Sequence, residues 1–143
     1  SHEGALFFDQ SLFKTYLDIG EENKLPVFVP SDVAVHFDKK FPKPKNVVII
    51  ENFYMASPDL KFSEWENYYL NILNNLKPGI SELIVHLGYD DKEMQEITIE
   101  HPNFGSKWRN LDMEIVSSEK FRKALVDNNI KLVTWKEIQN VLY

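Results

Sequence analysis

The chain has 143 residues, 43% hydrophobic, 13% aromatic and 27% charged, with no cysteine. This composition fits one soluble globular domain over residues 1–143 and excludes a largely disordered chain, a disulfide scaffold and a cysteine zinc site. Sixteen Lys and Arg against 22 Asp and Glu give a net charge of −6, which presents no basic face to a nucleic-acid backbone.

Only Arg109 and Arg122 are arginines. The lysine cluster Lys39, Lys40, Lys43 and Lys45 is split by Pro42 and Pro44 and reads as a solvated loop. No apolar run approaches the ~20 residues that span a bilayer, and no secretory signal is present, so no membrane partner is expected. The chain starts without methionine, so its natural amino terminus is expected to be missing. Cytoplasmic and exported locations, and monomer or homo-oligomer, all stay open.

Asp9 can cap a helix whose stripe is Leu12, Phe13, Tyr16 and Leu17, with Gly20 or Asn23 as its stop. Pro26 to Pro30 reads as a short buried strand. Ser31 or Asp32 can start a short helix through Phe37, and Lys43 to Lys45 is a loop. The β-branched run Val47 to Ile50 predicts a strand covered on both faces. Ser63 and Glu66 have capping-box spacing ahead of a helix with Trp65, Tyr68, Tyr69, Ile72, Leu73 and Leu76 at three- and four-residue intervals. Pro78-Gly79 ends it. Leu83 to His86 predicts a third strand, followed by a long polar stretch from Gly88 to about Gly105. Ser117 or Ser118 starts a further helix, ending near Asn128-Asn129. Lys131 to Thr134 predicts a fourth strand, and a short helix runs through Leu142.

Four strands alternating with helices define an α/β pattern with parallel strands. It is close to half of a (β/α) barrel, whose whole takes about 250 residues. A four-stranded stand-alone sheet also satisfies the pattern. There is no internal repeat or low-complexity segment.

Active sites of such folds gather at the carboxyl ends of strands. His86 closes the predicted third strand, ahead of Gly88, Asp90 and Asp91. An imidazole titrates near neutrality, so it suits general acid/base work there; a simple bond to a backbone carbonyl is the plainer role. His2 stands at the very start of the chain, where Ser-His also fits a purification-tag remnant. Asp90 and Asp91 read chiefly as helix caps, with a metal or acid/base pair as the other reading. His101 reads as a solvated loop residue and His36 as structural. Arg109 and Asp112 are three apart and could pair on a helical turn. Such a pair could serve a site or order the loop. Tyr54, Tyr89, Phe104 and Trp108 fall in or near predicted loops, as sugar platforms or as core anchors. There is no glycine-rich phosphate loop, no Gly-x-Ser-x-Gly elbow and no Cys-His pairing.

The segment Ser81-Glu-Leu-Ile-Val-His-Leu-Gly-Tyr-Asp90 resembles the closing motif of the YdjC-like carbohydrate deacetylases, the family of chitooligosaccharide deacetylase. There it reads Glu-Leu, two apolar residues, His-Pro-Gly or His-Pro-Ala, then Tyr. Trp108-Arg109 through Asp112, Ser117-Ser118, Phe121, Leu125, Asn129-Ile130 and Thr134-Trp135 are similar to the family's tail. Ser1 to Phe7 resembles its Asp-Ser-His segment, and the helix and Leu25-Pro26-Val27 that follow also fit. The likeness covers nearly the whole chain. Continuation past Ser1-His2 into Gly4, Leu6 and Phe7 with the family's spacing favours His2 as a native position.

The resemblance implies a partial (β/α) barrel that hydrolyses the acetamido group of an N-acetylated sugar or oligosaccharide. In such enzymes an Asp-His-His set holds a divalent ion, zinc or magnesium among the candidates. The ion polarises the carbonyl and activates water. His2 would be the last metal ligand, and His86 the late acid that protonates the leaving amine. Arg109 would orient a carboxylate or that histidine, and Tyr89 and Trp108 would contact the sugar. Two departures stand out. Leu87 replaces the family's proline. The opening Asp-Asp-Phe-Gly motif and the first ligand histidine have no counterpart, so the chain is expected to be an incomplete carboxy-terminal part, partnered by a missing amino-terminal segment and inactive alone. The competing hypothesis is a non-catalytic α/β sugar-binding or scaffold domain. An Asp-Asp pair and a further histidine upstream of Ser1 would discriminate for the enzyme.

Overall fold

Asp9 opens the first helix by accepting the N–H groups of Ser11 and Leu12, which no helical carbonyl can reach. The computed structural model describes residue 6 and residues 9–34, 43–101 and 103–143. Helix α1, Gln10–Glu22, buries Leu17 and Gly20. Strand β1, Val27–Pro30, is followed by the single turn α2, Ser31–Ala34. The expected extension of α2 to Phe37 lies outside the described residues.

Strand β2, Val47–Ile50, runs parallel to β1, with Val27 opposite Val47 and Pro30 opposite Ile50. Leu17, Val27, Val29 and Val47 form the core here. A side chain at Gly20 would collide with Val27 and Asn46, so this glycine lets α1 lie directly on the strands. Tyr16 ties the helix to β1 through its hydroxyl, which accepts from Phe28 N–H at 2.9 Å and donates to Phe28 O at 3.2 Å.

After a bend at Glu51, β3 (Asn52–Met55) pairs with β4 (Ser81–Ile84). Their first residues adjoin: Glu51 N–H donates to Ile80 O, and Asn52 Nδ2 to Ser81 Oγ. Then come a 3-10 turn at Phe62–Glu64 and helix α3, Trp65–Asn74, which buries Trp65, Tyr69, Ile72 and Leu73. The remaining helices are α4 (Lys92–Ile97), α5 (Ser106–Ser117), α6 (Glu119–Asp127) and α7 (Trp135–Leu142). α6 starts on Ser118 and buries Phe121 and Ala124. No described helix is long and apolar enough to cross a membrane.

The chain forms two compact units. One comprises Ser1–Asn52, Gly79–Ser81 and Leu132–Tyr143; the other comprises Phe53–Pro78 and Glu82–Lys131. The second unit has its own core of Trp65, Tyr69, Leu73, Trp108, Ile115 and Phe121.

The α/β class agrees with the sequence pattern, but the strands differ. Among the described residues there are two two-stranded sheets and no closed barrel, so the mixed α/β class is shown and the expected four-stranded partial barrel is not. Lys131 to Thr134 is not a strand; Leu132 and Val133 lie exposed, and among the described residues no strand pairs with them to supply a ladder. The predicted strand Leu83–His86 begins two residues earlier and stops at Ile84, because the His86 N–H goes to a side chain instead of a strand. The Ser63/Glu66 capping box is absent: the 3-10 turn absorbs Ser63, and Glu64 holds the cap position without a side-chain bond. β3 escaped the sequence reading because its half-exposed, mixed pattern resembles a loop.

Candidate functional site

The second unit converges on one buried carboxylate. Trp65 and Tyr69 stand four apart on α3, so both face the same neighbour. Trp65 Nε1 donates to Asp112 Oδ1 at 2.8 Å and Tyr69 Oη to the same oxygen at 2.6 Å. The main-chain N–H of His86, two residues beyond β4, donates to Asp112 Oδ2 at 2.8 Å. Asp112 is fully buried, and three donors offset the loss of water around its carboxylate. Burial, reinforced by the bond to Asp112, pushes the Tyr69 phenol far above its ordinary range, so it remains a donor.

A file of rings leads away from His86. Its imidazole lies 4.8 Å from the Phe104 ring, which lies 4.4 Å from Trp108, which meets Trp65 edge-on at 4.8 Å. Phe104 has φ +61°, a left-handed backbone that a bulky side chain adopts at a cost of about 1–3 kcal/mol. Arg109 holds it there, since its Nε donates to Phe104 O at 2.7 Å. The stem of Arg109 crosses Gly88 so closely that an added Cβ would sit 3.3 Å from Arg109 Cβ and 3.2 Å from Met94 Cε. Gly88, two residues after His86, therefore admits the arginine.

Three buried polar atoms of this unit have no hydrogen-bond partner: His86 Nδ1, Trp108 Nε1 and Glu82 Oε2. Such atoms are uncommon in folded interiors, and each asks for a ligand, a water or a mechanism. Burial raises the Glu82 carboxyl above its usual value.

The sequence-derived candidates fare unequally. His86 and Arg109 are brought together through Phe104. Arg109 and Asp112 do not pair; their bonds go to Phe104 O and to Trp65, Tyr69 and His86 respectively. Trp108 is only 2% exposed, a wall of the core instead of an open sugar platform. Tyr89 is 67% exposed and free to meet a ligand. Asp91 caps α4 by accepting Met94 N–H at 2.9 Å. Asp90 accepts from Gln95 Nε2 at 2.9 Å, and this bond, with that from Ser106, holds its carboxyl below the usual range. His101 is an exposed loop residue. His2, His36, Lys39 and Lys40 lie outside the described residues, as does any convergence of His2 with His86. Among the described residues no group of three or more His, Asp or Glu could hold a metal ion. They do not by themselves fit the metal centre that the resemblance implies.

Asp112, Trp65 and Tyr69 were missed as a polar hub. A signal existed: Trp108, Asp112 and Ile115 share one helical stripe, and an aspartate among buried apolar residues asks for donors.

The fold and this site define a mixed α/β protein with a histidine presented beyond a strand end and backed by a buried carboxylate. The chain belongs to the YdjC-like protein family, whose family model matches residues 1–127. No curated protein matches it.

Proposed function

We propose that the chain carries the proton-donating half of a carbohydrate deacetylase, acting on the N-acetyl group of an amino sugar or oligosaccharide. The observation that carries this reading is His86: its main chain is anchored on Asp112 and its buried Nδ1 lacks a partner, in a chain of the YdjC-like family. In the reaction, water gives up a proton to a carboxylate base supplied from outside the described residues, and its oxygen adds to the amide carbonyl carbon. The C–N bond then breaks, and the departing nitrogen takes a proton from the His86 imidazolium, leaving acetate and a free amino sugar. Arg109 acts through Phe104, setting the ring that the imidazole packs against. Tyr89 offers an exposed ring to the sugar. Asp112 orients the histidine through its backbone and touches no reacting atom.

The proposal retains a divalent ion, zinc or magnesium, with His2 as one ligand position. No step is assigned to it, since the described residues hold no ion site. The test is acetate release from N,N′-diacetylchitobiose by the native gene product containing this chain, beside its His86→Ala variant. General acid catalysis is worth about 10²–10⁴-fold, so the variant should lose a rate of that order with its circular dichroism unchanged. Equal rates for the two would remove His86 from the mechanism. Sugar binding without acetate release would identify a binding domain instead.

A further inference from the structure

We propose that an open groove between the start of α5 and the end of α4 is a second sugar subsite, which takes a ring of the oligosaccharide other than the one losing its acetyl group. The oligosaccharide part of this inference rests on the deacetylase reading; the sugar-binding part rests on the groove.

The cavity has a volume of about 470 Å³, within the range of about 300–1,000 Å³ usual for small-molecule sites. Its wall is built from four places in the second unit. Phe62 comes from the turn before α3, Asp90 from the loop after His86, Gln95 and Thr98 from α4 and its C-cap, and Ser106 and Lys107 from the start of α5. Asp90 lies four positions after His86, so the chain keeps their Cα atoms within about 14 Å even at full extension. That limit lies within the reach of one oligosaccharide.

The chemistry of the wall selects the ligand. A helix amino terminus with a lysine beside it ordinarily attracts anions. Here that charge is already answered: the Asp90 carboxylate faces Ser106 and Lys107, and the Ser106 N–H donates to Thr98 Oγ1 at 3.1 Å. A phosphate would meet the aspartate and be repelled. A neutral polyol would not. The Gln95 amide nitrogen donates to the Asp90 carboxylate at 2.9 Å and to Asp90 O at 3.3 Å, which fixes the pair and leaves the Gln95 side-chain carbonyl oxygen and the remaining carboxylate lone pairs as acceptors for neighbouring hydroxyls. Phe62 supplies the apolar component. Phe62 is 47% exposed, and its ring packs edge-on against the buried Trp65 at 5.5 Å, so it is a rigid surface for the C–H face of a pyranose. One apolar plate beside a polar fork matches the two-faced chemistry of a sugar ring and little else that is uncharged.

The test is a nitrogen-15 NMR titration of the 143-residue chain with N,N′,N″-triacetylchitotriose, with inorganic phosphate as a second probe. The expected result is saturable shifts of the Gln95, Thr98, Ser106 and Lys107 amides with the sugar and none with phosphate. Phe62→Ala and Gln95→Ala should each weaken binding about tenfold or more. Lys120→Ala, which removes a surface pair with Glu66, serves as the control and should leave binding unchanged. Shifts confined to other residues, preference for phosphate, or unchanged affinity in both groove variants would overturn the proposal. The two readings separate cleanly. Acetate release with a silent groove would sink the subsite alone, and a titrating groove without acetate release would sink the deacetylase reading alone.

Discussion

The main-chain N–H of His86 lies 2.8 Å from Asp112 Oδ2, so the residue that offers the imidazole is held by its backbone and its ring is left to the site. The same carboxylate gathers an indole and a phenol from α3. One aspartate thereby joins α3, α5 and the segment beyond β4. Local stability and the placing of His86 become a single property of the second unit.

Removing that carboxylate should therefore be costly. Asp112→Ala leaves the Trp65, Tyr69 and His86 donors buried without an acceptor, at about 1–3 kcal/mol each before relaxation. The expected loss is about 3 kcal/mol or more in urea denaturation. Asp112→Asn should fall between the two, because an amide provides one acceptor oxygen and turns its own donors toward donors. In an active gene product the asparagine variant should lose kcat with little change in KM, a split that destabilisation alone would not produce.

Tyr69 makes a prediction about alkaline pH. Its phenol is pushed up in the folded state, first by burial and then by Asp112. Its contribution is fully present below the unfolded value near 10 and is lost as pH rises above it, because only the unfolded chain releases the proton. The stability of the native protein should fall above about pH 10, by up to about 1.4 kcal/mol per pH unit from this group. Tyr68, also raised by burial, acts in the same direction. Tyr69→Phe should flatten the decline, read as denaturant midpoint against pH.

Glu82 should behave in the opposite sense to a stabilising carboxylate. Its Oε2 is buried without a partner, and burial raises its pKa. The neutral form suits the fold, so stability is greatest below the unfolded value near 4.3 and declines as pH rises through the folded value. Glu82→Gln should raise stability at pH 7 by at most about 1 kcal/mol, and the gain should vanish near pH 4. Thermal unfolding at the two pH values checks both halves.

Two serine/threonine positions separate a cap that forms from one that only has the spacing. Thr134 accepts Glu137 N–H while the Glu137 carboxylate accepts Thr134 N–H, a complete box on α7. Thr134→Ala should cost about 1 kcal/mol and raise hydrogen exchange in the first turn of α7. Ser63→Ala should change stability by less than about 0.5 kcal/mol, as for an ordinary surface position.

Much of this organisation was legible in the residues. The Asp9 cap, the apolar stripes of α1, α3 and α6, the Ser118 start and the buried strands at Val27 and Val47 are local patterns set by side-chain period and capping chemistry. So was the family likeness, which the match over residues 1–127 bears out; His86 reads as the last residue of its strand, and the structure sets it two residues past the strand end. Long-range pairing was not legible. Lys131 to Thr134 has the composition of a strand, yet a strand exists only where a neighbour accepts its ladder, and sequence period carries no record of neighbours.

The site divides along the same line. Arg109 and Asp112 stand one helical turn apart, and helix geometry alone permits them to pair. Packing decides otherwise: α3 brings two donors to Asp112, and the left-handed turn at Phe104 turns its carbonyl toward Arg109. Secondary structure follows from interactions within about four residues, which the chain carries in its order. The partners of a buried charge come from residues 26 to 47 positions away, and only folding brings them within hydrogen-bonding distance.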